Sequence, residues 1–98
     1  MYDLWHEDED IKVQLEHDGG FIFLHVLVFK WSVSRVKKFR RLLVELKKQM
    51  CESGHSHIYA YNAQQNDKWF RFVESMGFRP HVVHNGLIVY KVKTHGDR

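Results

Sequence analysis

The sequence predicts one domain of the α/β (α+β) class, with helices packed on a mixed sheet. Two amphipathic helical patterns alternate with strand patterns in the order β-β-α-β-α-β-β. The chain has 98 residues, enough for one hydrophobic core but not for two, and 44% of them are hydrophobic. We therefore expect a single domain over residues 11–93, preceded by an acidic lead-in over 1–10 and followed by a frayed tail over 94–98.

A β-hairpin is the first predicted element. Residues 11–16 alternate apolar and polar side chains, which predicts a half-buried strand, and the sequence DGG at 18–20 is typical of a turn between antiparallel strands. The next strand, residues 21–29, is apolar on both faces, so we expect helices to cover it on each side. His25 lies within this run, and we interpret it as a hydrogen-bonded core histidine because it has no evident catalytic partner.

A long amphipathic helix follows. Ser32 or Ser34 can cap its start, because a serine oxygen accepts a hydrogen bond from the free amides of the first turn. The seam that faces the core repeats at three and four residues and consists of Val36, Phe39, Leu43, Leu46 and Met50. The outer face is basic, and Gly54 follows the helix. A strand is then predicted from His57 to Tyr61.

The stretch NDKWFRFVESMGF, residues 66–78, predicts the second helix. Its apolar face consists of Trp69, Phe70, Val73 and Met76. Gly77 can adopt the left-handed conformation that ends a helix, and Phe78 can fold back onto the helix. Two strands, Arg79–His84 and Leu87–Val92, follow, and Asn85-Gly86 between them is a strong hairpin signal.

Charge is unevenly distributed along the chain. Residues 1–18 contain seven acidic side chains and one lysine, whereas the remainder contains fourteen basic and five acidic side chains. Two interpretations of the acidic segment are open. Either it keeps the start of the chain in solvent, or it contacts basic groups, which belong to a partner or to the molecule's own basic helix. The sequence shows no secretory signal and no apolar run long enough for a membrane span, which predicts a cytoplasmic protein without membrane contact.

The element order and the residues 66–78 resemble the C-terminal half of the GNAT acyl-CoA N-acetyltransferases, in which an asparagine opens a helix that ends in Gly-Phe before a strand hairpin. The resemblance covers residues 20–92. The sequence is similar in particular to short, divergent GNAT-like proteins of tailed phages, where a basic helix like VKKFRRLLVELKKQM precedes the same elements. It implies a compact, mostly antiparallel GNAT-like sheet, and acetyl-CoA as the cofactor if the chain is an enzyme.

Two departures from the family pattern bear on activity. The family grips the coenzyme A pyrophosphate with a glycine-rich turn at the start of its long helix, and here residues 30–35 contain no glycine. The family often has a tyrosine as general acid where this chain has Val73, which cannot transfer a proton. Trp69 replaces a small residue near the cofactor. The residues that this resemblance leaves for cofactor binding are Ser32, Ser34, Arg35, Lys37, Lys38 and Asn66.

Substitute acids or bases come from the strand beside the expected cleft, and they are Tyr59, Tyr61 and His57. A zinc site would need three of the histidines at 55, 57, 81 and 84 to converge, and no cysteine pair or His-Glu-x-x-His element supports one, so we expect no metal. The single cysteine, Cys51, excludes an internal disulfide.

We favour a GNAT-like phage-type protein that has lost most of its catalytic apparatus, binds no cofactor and acts through protein contacts. It would serve in the virion, or inhibit a host enzyme or defence system in the host cytoplasm. The residues expected at the partner surface are Trp31, Arg35, Lys38, Arg41 and Lys48. A minimal acetyl-CoA-dependent N-acetyltransferase is the first alternative, and a basic nucleic-acid-binding module is the second.

Overall fold

A computed structural model describes residues 2–28, 32–62 and 67–95. These residues form a six-stranded sheet and two helices, α1 and α2. The elements in chain order are β1 (Tyr2–Glu7), β2 (Ile11–Asp18), β3 (Phe21–Val28), α1 (Val33–Glu52), β4 (His57–Ala60), α2 (Asp67–Ser75), β5 (Arg79–His84) and β6 (Leu87–Lys93). The order predicted from residue 11 onward is confirmed.

The strands lie side by side in the order β1-β2-β3-β4-β6-β5. Neighbouring strands are antiparallel except for β3 and β4, which are parallel and joined through α1. The predicted mixed, mostly antiparallel sheet is therefore confirmed. Within the described ranges, neither helix is long and apolar enough to cross a bilayer.

The segment predicted to be a lead-in forms the edge strand β1, which pairs with β2. A bulge between Leu4 and His6 breaks its alternation, and this explains why the segment shows no clean period of two. The bulge turns Trp5 towards α1, where its indole N–H donates to the Gln49 side-chain oxygen at 2.9 Å. Residues 2–7 therefore belong to the domain rather than precede it.

Both helices pack on the same face of the sheet, which corrects the expectation that helices cover β3 on both sides. The strand residues of the hydrophobic core cluster alternate and share this face, where they meet Phe39, Leu43 and Leu46 of α1 and Phe72 and Val73 of α2. On the other face of β3, Phe21 and Leu27 are 52% and 55% exposed. We call this second face the open face, because none of the described helices covers it.

Both helices end with the same hydrogen-bond pattern. In α2, the Phe78 amide donates to the Val73 carbonyl and the Gly77 amide to the Glu74 carbonyl, at 3.1 and 3.0 Å. This pattern needs a left-handed residue at the helix end, and Gly77 has φ +95°. Phe78 follows in the core at 1% exposure. The predicted Gly-Phe helix ending is therefore confirmed.

Thr94 corrects the predicted frayed tail. Its side chain is buried, its hydroxyl donates to the His55 carbonyl at 2.6 Å, and its amide donates to the Ser56 carbonyl at 3.0 Å. A residue held by two backbone partners is fixed to the sheet, because buried polar groups keep their hydrogen bonds. The domain thus extends at least to Thr94.

Candidate functional site

A cleft opens where the two parallel strands part. β3 and β4 pair only through Phe23 with Tyr59 and Leu24 with Ala60. Beyond these pairs, both strands contribute residues to the walls of a cleft of about 500 Å³. Crevices at the carboxyl ends of parallel strands are the usual ligand sites of sheets with helical crossovers. This cleft is therefore the candidate cofactor or substrate site.

The inner wall of the cleft is apolar. It includes Phe39 of α1 and the α2 residues Trp69, Phe72 and Val73. Val73 is 4% exposed and stands where the resemblance implies a general acid, so this wall supplies no proton donor at that position. The wall can hold an apolar chain. Lys68 of α2 also lines the cleft, and the strand side of the cleft supplies further polar groups.

His25 and Tyr61 line the strand side of the cleft, and both contact Glu16, which lies beside them on the open face of the sheet. The His25 Nε2 lies 2.8 Å from the Glu16 carboxylate, and the Tyr61 hydroxyl donates to the same carboxylate oxygen at 3.2 Å. His25 and Tyr61 stack edge to face with ring centres 5.3 Å apart. A carboxylate that orients an imidazole can support proton transfer, so this cluster is the acid–base candidate of the cleft.

Hydrogen bonds and burial set the protonation of this cluster. The hydrogen bond from His25, supported by that from Tyr61, lowers the pKa of Glu16 despite partial burial of the carboxyl. Burial, together with the nearby Glu16 charge, raises the pKa of Tyr61. Glu16 is therefore an anion and Tyr61 a neutral phenol at neutral pH, with the Tyr61 proton directed at Glu16 rather than into the cleft.

The other two predicted catalytic candidates lie away from the cleft. Tyr59 and His57 project from the open face, where the Tyr59 ring packs against Phe21 and Phe23 at 5.5 and 5.8 Å. Burial and the charges of nearby lysines lower the pKa of His57. Of the three candidates, the structure brings only Tyr61 to the cleft.

The acidic turn between β1 and β2 lies against the start of α1. We call Asp8 and Asp10, with the residue between them, the acidic turn. The Arg35 guanidinium contacts the Asp10 carboxylate at 2.8 Å, and the Lys38 ammonium contacts Asp8 at 2.6 Å and Asp10 at 3.5 Å. Hydrogen bonds from Lys38 and then His6 hold the pKa of Asp8 well below its usual range. Of the two interpretations of the acidic segment, contact with the molecule's own basic helix is the one observed.

Strand register explains this contact. Ile11, directly after the acidic turn, pairs with Val28 at the end of β3, and α1 begins five residues later at Val33. The acidic turn and the start of α1 therefore meet at one edge of the sheet. The two bases best placed to attract a pyrophosphate there are already paired with carboxylates.

The remaining predicted cofactor residues have the following positions. Ser32 caps α1, its oxygen accepting from the Arg35 amide at 3.2 Å, and the Ser34 hydroxyl lies 3.1 Å from that of Ser32. Lys37 is exposed on the outer face of α1. Asn66 lies outside the described residues, as does Trp31 of the predicted partner surface.

The outer face of α1 presents a basic stripe of Lys37, Arg41 and Lys48. Their spacing of four and seven residues places the three side chains on one line along the helix. All three are exposed, and none forms an ion pair with another described residue. Val44 lies within this stripe at 65% exposure. Of the predicted partner residues, Arg41 and Lys48 are thus available for contact, whereas Arg35 and Lys38 are engaged by the acidic turn.

No group of three His, Cys, Asp or Glu side chains within residues 2–28, 32–62 and 67–95 is placed to hold a metal ion. The histidines at 57 and 81 lie on strands β4 and β5, which β6 separates. Cys51 is exposed near the end of α1.

Sequence reasoning missed the pairing of His25 with Glu16, although the hairpin carries the signal. With Asp18 opposite Phe21 across the turn, Gln14 faces His25, and Glu16 is the diagonal neighbour of His25 on the same face. Diagonal neighbours lie about 7–8 Å apart at Cα, within reach of long side chains. Assigning the strand register from the turn at residues 18–20 is therefore enough to predict Glu16 as the partner of His25.

Comparison with known proteins supports the fold. No protein-family model matches the chain, and no curated protein matches it by sequence. A solved domain from Methanocaldococcus jannaschii superposes with a TM-score of 0.55 at 15% identity, over 85% of this chain and 65% of that one. A chimeric spermidine N-acetyltransferase, SpeG from Vibrio cholerae with hSSAT, superposes with a TM-score of 0.56 at 12% identity, over 89% of this chain and 69% of that one.

The fold is therefore GNAT-like, as the Asn66–Phe78 motif predicts. The chain spans about two thirds of the length of both solved chains. Likeness at this identity concerns the fold alone, since one fold can carry many activities.

Proposed function

We propose that this GNAT-fold protein acts by binding an acidic protein surface through the basic stripe of α1, and does not transfer acetyl groups. One observation carries the proposal: the acidic turn divides the basic residues of α1 into two groups. Arg35 and Lys38, at the helix start where a cofactor phosphate would bind, are paired with Asp8 and Asp10. Arg41 and Lys48, on the outer face, have no such pairing among the described residues.

The paired and the unpaired basic residues of α1 differ in what they can bind. A phosphate ligand at the start of α1 would have to displace two carboxylates from their bases, and the like charge of these carboxylates repels it. The basic stripe instead offers unpaired cations around an exposed Val44. Mixed apolar and basic surfaces suit a protein partner better than a nucleic-acid backbone, whose binding is dominated by charge alone.

The resemblance to GNAT-like proteins of tailed phages supports a narrower form of the proposal. In this form the chain is a phage protein whose partner is a virion component, a host enzyme or a defence protein, met in the host cytoplasm or in the virion. The fold then serves as a scaffold for the basic stripe.

A minimal acetyl-CoA-dependent acetyltransferase is the second candidate, and the cleft is the observation that favours it. The cleft lies between the parting strands β3 and β4, and His25 on its wall, which is hydrogen-bonded to Glu16, could accept the proton of an amine. The acidic turn weighs against this candidate, because it occupies the bases beside the cleft.

The test compares two variants of equal net charge. Arg41→Glu with Lys48→Glu reverses the basic stripe, and Arg40→Glu with Arg71→Glu reverses two exposed bases outside the stripe and outside the open face. Proteins captured from nuclease-treated host lysate are identified by mass spectrometry, purified and titrated against each variant by calorimetry.

The proposal predicts a partner that binds the wild type and the control variant but not the stripe variant. Equal binding of the partner by the stripe variant would overturn the proposed surface. Capture that disappears on nuclease treatment would replace the protein partner with nucleic acid.

A further inference from the structure

The open face carries side chains in rows that cross four central strands. In the first row, Glu16 on β2 is paired with Phe23 on β3, Phe23 with Tyr59 on β4, and Tyr59 with Lys91 on β6. Since paired residues point to the same side of a sheet, the four side chains form one line. From β2 to β6 the row therefore changes from an acid, through two aromatic rings, to a base.

The neighbouring row has the same order. Asp18 is paired with Phe21, and His57 is paired with Lys93. Phe21 and His57 lie two residues before Phe23 and Tyr59 on parallel strands, so they adjoin each other across β3 and β4. This row consists of an acid, two rings and a base. Among the described residues, neither Lys91 nor Lys93 forms an ion pair.

A surface with this pattern is complementary to itself. A twofold axis parallel to the strands, between β3 and β4, places β2 of one copy over β6 of the other and β3 over β4. Asp18 then faces Lys93, Glu16 faces Lys91, and the aromatic rings meet at the centre. A twofold axis perpendicular to the strands would instead place acid over acid and base over base. Two-fold interfaces require this kind of self-complementarity.

We infer that the open face binds a second copy of this chain, sheet against sheet, about a twofold axis parallel to the strands. The exposed rings and aliphatic side chains of the face, Phe21 at 52%, Leu27 at 55% and Val82 at 47%, become covered in this dimer. Facing sheets pack about 10 Å apart, which aromatic side chains from both copies can fill. The inference uses residues on the side of the sheet opposite the basic stripe, so it is independent of the proposed function.

The size of the face is sufficient for such a dimer. Six strands about 4.8 Å apart and about 20 Å long give a flat area of roughly 500 Å² on each copy, or roughly 1,000 Å² for the pair. Side-chain relief increases the accessible area beyond this figure. The total reaches the lower limit of specific interfaces, so a dimer with micromolar affinity is expected.

Analytical ultracentrifugation of the wild type and four variants tests the inference. Phe21→Ser removes an exposed ring of the central strand β3, and we expect it to weaken the dimer about tenfold or more, since each interface loses the ring twice. Asp18→Lys places like charges opposite each other and should also weaken the dimer, whereas Asp18→Lys combined with Lys93→Asp should restore it. Glu45→Lys makes the same charge change on the exposed surface of α1 and should leave the dimer unchanged.

Two results would overturn the inference. One is a wild-type mass that stays at 11.8 kDa up to about 0.5 mM protein. The other is a dimer that Phe21→Ser and Asp18→Lys leave unchanged, which would locate the interface elsewhere. Circular dichroism of each variant establishes that it is folded, and the charge swap remains informative if Phe21→Ser is not.

Discussion

Replacing Gly77 by alanine should destabilise the domain through backbone strain alone. Gly77 has φ +95°, and a Cβ placed there would lie 3.8 Å from Val92 Cγ2, which is an ordinary van der Waals contact. Space is therefore available, and the cost arises from the left-handed conformation, about 1–2 kcal/mol for an L-residue. For a domain of 60–100 residues, this corresponds to a decrease in Tm of about 4–16 °C.

Gly77→Asn distinguishes this explanation from crowding. Asparagine is larger than alanine but adopts positive φ at lower cost, so it should destabilise the domain less. Urea unfolding of the wild type and both variants, followed by circular dichroism, gives the free energies of unfolding. An asparagine variant less stable than the alanine variant would show that contact with Val92 determines the cost, and an alanine variant as stable as the wild type would refute the strained helix ending.

Three further predictions concern the core and the titrating groups. Leu46→Ala, at a fully buried position, should cost about 2–5 kcal/mol in urea unfolding, whereas Val44→Ala on the exposed face of the same helix should cost under about 0.5 kcal/mol. Because the pKa of Glu16 is lowered by His25, the stability it contributes is present above about pH 4.5 and is lost as pH falls through its lower folded value. Glu16→Gln should therefore be less stable than the wild type at pH 7, and the difference should vanish in acid unfolding series. NMR titration should give His57 a pKa below 6.5, since burial and two lysines disfavour its charged form; an unshifted value would contradict the burial of this ring.

Local signals were sufficient to predict most of the fold. The turn sequences at 18–20 and 85–86, the serine cap of α1 and the Gly-Phe ending of α2 all act within a few residues, and each has the predicted role. β1 was missed because its bulge disrupts the alternation on which strand prediction depends. The sequence did not predict the open face. The apolar run on β3 indicates apolar surroundings on both faces, and on the open face aromatic side chains of the same sheet provide these surroundings in place of a helix.

The candidate site depends on which distant residues the strand pairing brings together, and this limits how much of the site the sequence predicts. Tyr61 was found because it follows the strand beside the cleft. The pairing of Arg35 and Lys38 with the acidic turn was one of two open interpretations, since it depends on β1 and β2 bringing residues 8–10 to the start of α1. Trp31 and Asn66 lie outside the described residues, so their predicted roles stay predictions.

If the acidic turn occupies the bases where a cofactor phosphate would bind, acetyl-CoA should bind only after the turn loses its charge. Calorimetric titration of acetyl-CoA into the wild type, and into a variant with Asp8→Asn and Asp10→Asn, measures this difference. We expect no detectable binding to the wild type at about 1 mM ligand, and measurable binding once Arg35 and Lys38 are released. Micromolar binding of acetyl-CoA to the wild type would contradict this role of the acidic turn and favour the acetyltransferase.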